Sequence, residues 1–181
     1  MTIKYENLIT ADLVDVIGRA LESRGITGFA VKYSDQPVSV DDGPAVILRK
    51  TAEALTGTPH RYDLADDGRF LQHEEAYLME LTYAVTTVKR RDPQNDTPDT
   101  MTASDVLQAL AAWFLSMGGM RAMRDLGYGV LPVKHLRQVY TADAAGHYEL
   151  TPTFELTLGI RQSYREPVAV IEDKSFTIIP I

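Results

Sequence analysis

The sequence predicts an α+β fold: a largely antiparallel or mixed β-sheet with two main α-helices packed on one face, plus a C-terminal β-prone extension. Three observations lead there. Two stretches, "TADLVDVIGRALESRG" and "SDVLQALAAWFL", repeat apolar residues at helical spacing. Two others, Phe70–Arg90 and Tyr148–Tyr164, alternate apolar and polar residues as half-buried strands do. The classes are grouped as helix, strands, helix, strands, and the end of the chain is rich in Val, Ile and Phe.

In the first helix Thr10 is expected as the cap, with Asp12 in the electropositive first turn and Gly25 closing the helix in the left-handed conformation. Leu13, Val14, Ile17, Ala20 and Leu21 form its apolar stripe. Short strands follow at Phe29–Tyr33 and Ala45–Lys50. The second is apolar on successive positions, as expected of a strand covered on both faces. Asp67-Gly68 is a turn signal leading into the long strand from Phe70 to Arg90.

"RRDPQNDTPDTMTASD" holds two prolines and reads as a loop. Thr102 and Asp105 stand at the spacing of a capping box for the second helix. Its stripe is Leu107, Leu110, Ala111, Phe114 and Leu115, and Gly118-Gly119 is the expected break before a short turn or helix ending at Gly127. Strands at Val133–Tyr140 and Tyr148–Tyr164 flank a hairpin loop containing Gly146. The organisation predicted is one domain over 1–167 and an extension over 168–181 that pairs with its own or a neighbouring subunit.

Bulk properties narrow the function. A chain of 181 residues has room for one well-cored domain. A net charge of −7 and a pI near 5.0 disfavour a dedicated nucleic-acid-binding surface. The absence of cysteine excludes disulfides, thiolate nucleophiles and cysteine-held metal sites. The start "MTIKYENLIT" lacks the pattern of a signal peptide, and no apolar window suits a membrane span, so a cytoplasmic site of assembly is expected.

Little in the chain suggests chemistry. His60, His73, His135 and His147 show no metal-ligand spacing. His73 beside Glu74 and Glu75 could contribute to a metal site, but a solvated strand end is the plainer reading. Asp66-Asp67-Gly68 lacks the alternating oxygen ligands of a calcium loop, and Gly127-Tyr128-Gly129 is not followed by the lysine and hydroxyl of a phosphate loop. The expectation is a protein that is not an enzyme and takes no cofactor.

Four features together resemble the tail terminator, or neck, proteins of tailed bacteriophages, including the longer members from contractile tails. An apolar second helix runs into Leu126-Gly127-Tyr128, and a hairpin strand with Lys134 and Arg137 follows. A polar loop comes next, then a long alternating strand ends in Arg161, Ser163, Tyr164 and Arg165. The resemblance covers about Ile9 to Glu166. It implies a virion protein that forms a homo-hexameric ring, caps the tail tube, stops its polymerisation and offers the head a docking face. The implied partners are the tube protein, the tail sheath and head-completion or connector proteins, with DNA passing through the lumen without specific binding and no membrane involved.

A ring of identical subunits needs two different complementary surfaces on each copy. The segment after Pro167 could supply one by adding a strand to a neighbour's sheet. The expected interface residues are therefore Arg90, Arg91 and Asp92 in the loop, Arg161, Tyr164 and Arg165 at the end of the long strand, and Val168, Val170, Ile171, Phe176, Ile178, Ile179 and Ile181 beyond it. Two rivals stand beside this reading. One is another head–tail connector or tail-completion ring, and the other is a monomeric ligand- or peptide-binding domain with a groove beside Trp113 and Phe114.

Overall fold

The computed structural model describes residues 6–35, 44–57, 60–64, 70–90, 94–142 and 148–169. Along the chain these form α1 (Glu6–Ser23), β1 (Ala30–Tyr33), β2 (Ala45–Thr56), β3 (His60–Leu64) and β4 (Phe70–Val88), then α2 (Ala103–Leu115), α3 (Met117–Asp125), β5 (Gly129–Val130), β6 (Lys134–Ala142) and β7 (Tyr148–Ala169). The α+β class and the one-sided helical layer are as the sequence predicts, with α3 as a third, shorter helix.

The spine of the sheet is the antiparallel pair β4–β7, in register from Phe70↔Ala169 to Thr86↔Thr153. On its free side β4 carries β2, and further out β3. On its own free side β7 carries β6 and the two-residue β5. The one parallel contact among the described strands is β1 on the Ala45–Leu48 half of β2.

Strand parity puts Val46 and Leu48, Leu81 to Val85 at alternate positions, and Phe154 to Ile160 at alternate positions on one face. These residues form a single cluster with Ile9, Leu13, Ile17 and Leu21 of α1, Leu107, Leu110 and Phe114 of α2, and Met123 of α3. All three helices therefore lie on the same side. Phe114 meets Phe154 edge to face, ring centroids 6.4 Å apart, at the centre of this layer. A smaller buried cluster of Ala45, Ile47 and Val88 sits on the opposite face at the β1 end.

Two helices end in the same way. Ile26 N–H reaches Leu21 O and Gly25 N–H reaches Glu22 O; Tyr128 N–H reaches Met123 O and Gly127 N–H reaches Arg124 O. Both are Schellman closures, and Gly25 (φ 69°) and Gly127 (φ 82°) supply the left-handed residue each requires. At the start of α2 the capping box is complete: Asp105 N–H donates to Thr102 Oγ1 at 3.2 Å, and Thr102 N–H to Asp105 Oδ2 at 2.9 Å.

Several boundaries differ from expectation. α1 starts at Glu6, one turn before Thr10, because Ile9 is fully buried and belongs to the core. The break after α2 is at Ser116, whose extended backbone serves both helices, and the glycines lie inside the first turn of α3. Ser116 Oγ donates to Trp113 O at 2.6 Å and accepts from Gly119 N at 3.1 Å. Leu115, expected in the stripe, is 53% exposed because it stands at this corner. β2 continues six residues past Lys50 to Thr56, and β7 runs through Pro167 to Ala169. The turns expected at Asp67-Gly68 and Gly146 lie outside the described residues.

Candidate functional site

The apolar core stops at Met79 of β4 and Ile160 of β7, yet both strands continue. Residues 70–78 pair with 161–169, and β3 pairs with the outer side of 71–75. The result is a three-stranded ribbon with a contour length of about 30 Å beyond the core at the usual rise per residue.

The ribbon is held by polar contacts. Tyr77 Oη donates to Gln162 Oε1 at 3.0 Å, and the buried Gln162 lies with Nε2 3.8 Å from Met79 Sδ. Arg161 Nη2 reaches Glu74 Oε1 at 3.5 Å, with the arginine side chain largely exposed and the carboxylate largely buried. Thr56, Tyr77, Leu78 and Arg161 border a shallow open hollow.

Two sheet edges are open among the described residues. β1 covers only Ala45–Leu48, so the rest of β2 has no strand on its outer side, and all six residues Thr51–Thr56 are exposed, Leu55 to 67%. At the other side of the sheet β6 is outermost, and all six residues Lys134–Val139 are exposed, Leu136 to 56% and Val139 to 41%.

Each edge has its own charge cluster. Lys50 Nζ lies 3.1 Å from Glu6 Oε2 and 2.7 Å from Glu53 Oε2. The bond to Glu53 raises the Lys50 pKa, so this trio carries one negative charge in excess. On β6 a bulge between Lys134 and Arg137 places His135 in the left-handed region at φ 54°. There His135 Nδ1 is 2.6 Å from Glu155 Oε2, and Arg137 Nη2 is 3.6 Å from Glu155 Oε1. Lys134 is paired in register with Glu155 and exposed beside it.

Of the predicted interface residues, Arg161 and Tyr164 are exposed on the ribbon, and their positions one and four residues past Ile160 put them on opposite faces. Val168 is 36% exposed and pairs with Leu71, and the backbone of Arg165 pairs with Glu74. Arg90 is exposed just beyond β4. Arg91, Asp92, Val170, Ile171, Phe176, Ile178, Ile179 and Ile181 lie outside the described residues. Sequence reasoning missed the open edge of β2: "TAEALT" is exposed on both faces, so it carries no alternation to announce a strand.

The alternative sites fare as follows. Phe114 is fully buried, and Trp113 packs edge-on against it at 5.2 Å, so both rings serve the core. His73 Nε2 is 3.8 Å from Glu75 Oε1, and among the described residues no three metal-ligating side chains gather. Among the described residues no helix is long and apolar enough to cross a membrane.

The described residues thus form a helix-backed sheet with two open edges and a projecting ribbon. Residues 8–170 match the family model described as E217 gateway protein gp29, and the chain belongs to that family. It is thus a bacteriophage virion component with a structural head–tail connector or neck role. The match does not single out a tail terminator. No curated protein matches the chain.

Proposed function

We propose that the protein is a non-enzymatic subunit of a homo-hexameric ring in the phage neck, joining head to tail. Membership of the gateway family across residues 8–170 carries this reading, and the open sheet edges support it, because a closed ring needs two complementary surfaces per copy. Its action is steric and interfacial. Arg90–Thr100, the ribbon residues Arg161, Tyr164 and Arg165, and the segment Val168–Ile181 contact neighbouring subunits or adjoining rings. The partners are the tube protein and head-completion or connector proteins, with the sheath beside them in a contractile particle. The acidic composition lets DNA pass through the lumen without adhering.

A second reading adds tube termination: one face binds the last tube ring and offers no further tube-like surface. The order of second helix, Leu126-Gly127-Tyr128 turn, hairpin and long strand favours it. Imaging particles made without this protein separates the two. Filled heads beside tails of normal length support joining alone, and overlong tubes support termination. Normal infectious particles overturn both.

A further inference from the structure

We infer that the helix-free face of the sheet is a docking surface for the helix layer of a second copy, so that subunits stack head to tail, layer upon layer. The inference rests on the ring reading above and names the two surfaces that close the ring.

The subunit is two layers thick. Register places Arg49 and Ala54 of β2, the even-numbered residues of β4 and the odd-numbered residues of β7 on the face turned away from α1, α2 and α3. No helix among the described residues lies over that face. Its middle is built of small, uncharged side chains: Ala54, Thr82, Ala84, Thr157 and Gly159 are all exposed or half-buried. Thr82 and Thr157 hydrogen-bond to each other at 3.0 Å, so these hydroxyls are partnered within the sheet. Such a surface lets a further layer approach closely, and Leu78, 40% exposed beside it, adds apolar area to bury.

Charge selects the occupant. The exposed charged residues described on this face are Lys32, Lys134, Arg137 and Arg161, all cations, whereas its carboxylates Glu74, Glu80 and Glu155 are buried or half-buried. The helix layer has the opposite excess. Glu6, Asp15, Glu22, Asp105 and Asp125 are exposed on the three helices against Arg19, Arg121 and Arg124, and Arg19 is held by Asp15 at 2.8 Å. The helices also present outward apolar pairs at helical spacing, Leu8 with Ala11 and Ala112 with Leu115; the two leucines are 50% and 53% exposed.

Two unlike faces on opposite sides of one subunit pair head to tail, the arrangement that closes into a ring. A two-fold pairing of like faces would set cation against cation on the sheet side, or carboxylate against carboxylate on the helix side, and is disfavoured for that reason.

The chain has no cysteine, so introduced thiols report this contact alone. Ala112→Cys on the helix layer is combined in turn with Ala54→Cys, Ala84→Cys and Thr157→Cys on the sheet face. Each double variant is assembled into particles and treated with a flexible bis-maleimide, with every single variant in parallel and thermal melting to check that each folds. At least one double variant is expected to give a ladder of cross-linked multimers on a denaturing gel, and no single variant a dimer. A dimer from Ala112→Cys or Ala84→Cys alone would mean that like faces meet and would overturn the inference. So would absence of a ladder from all three double variants in particles where electron microscopy shows the ring, which leaves the ring reading standing. If the particles hold no ring, both readings fall.

Discussion

The Tyr128 hydroxyl donates a hydrogen bond to Asp12 Oδ2, tying the turn after α3 to the second turn of α1. Tyr128 is 2% exposed, and its backbone N–H closes α3 onto Met123 O. One residue thus ends a helix, fills the core and anchors the first helix of the chain. Burial, and then the Asp12 carboxylate, raise its pKa.

Tyr128→Phe removes a hydrogen bond to a charged acceptor and leaves Asp12 less well satisfied. A loss of about 1.5–3 kcal/mol is expected, read from urea unfolding at neutral pH.

The raised Tyr128 pKa favours the protonated hydroxyl in the folded state. Its stabilisation is complete below the unfolded value of about 10 and fades as pH rises above it. Unfolding midpoints should fall in alkaline buffer and fall less for Tyr128→Phe. A residual slope is expected from Tyr33, pushed up to about 12 by burial and its bond to Asp35, and from Tyr83, raised chiefly by burial. Equal slopes for wild type and variant would refute the assignment.

At the α2–α3 corner, a methyl group on Gly119 would sit 2.1 Å from Trp113 O, a backbone atom that cannot swing away, whereas on Gly118 it would meet only Ser116 Oγ at 3.9 Å. Gly119→Ala should cost about 1–3 kcal/mol or prevent folding. Gly118→Ala should be neutral or stabilising by up to about 1 kcal/mol through helix propensity. Thermal melts of the two variants side by side make the comparison.

Thr102→Ala removes the capping box of α2 and should lower stability by about 1 kcal/mol. The bonds from Thr102 hold the Asp105 pKa down, so their contribution is present above the unfolded value of about 4 and is lost as the pH falls below it. The difference between wild type and variant should therefore shrink in acid.

Arg161→Ala breaks a long ion pair, 3.5 Å, in which the arginine is exposed and the Glu74 carboxylate largely buried, so thermal melts should show a loss of about 1–2 kcal/mol with the fold intact. If the ribbon contacts a neighbour, the yield of joined particles should nevertheless drop. A full yield would remove Arg161 from the interface.

The elements with one face in the core were legible from pattern alone. Leu13, Ile17 and Leu21, and the alternating Leu81, Tyr83 and Val85, declare themselves because burial selects apolar side chains at the period of the backbone. The capping box and the glycine closures were legible too, since each depends on residues a few positions apart. Local pattern did not reveal the outer half of β2, because residues exposed on both faces carry no period. The corner at Ser116 was hidden by the more conspicuous Gly118-Gly119, whose second glycine is needed for close approach to Trp113.

By itself, then, the sequence determined the class of fold, the one-sided helical layer and the absence of cysteine chemistry, all consequences of composition and short-range periodicity. Only the tertiary structure decided which strands lie outermost, that β4 and β7 outrun the core as a ribbon, and that "TAEALT" and "KHLRQV" border opposite sides of one sheet. Those are facts of long-range strand order. Backbone pairing uses the same N–H and C=O groups in every residue, so no side-chain pattern records which strand is left without a neighbour.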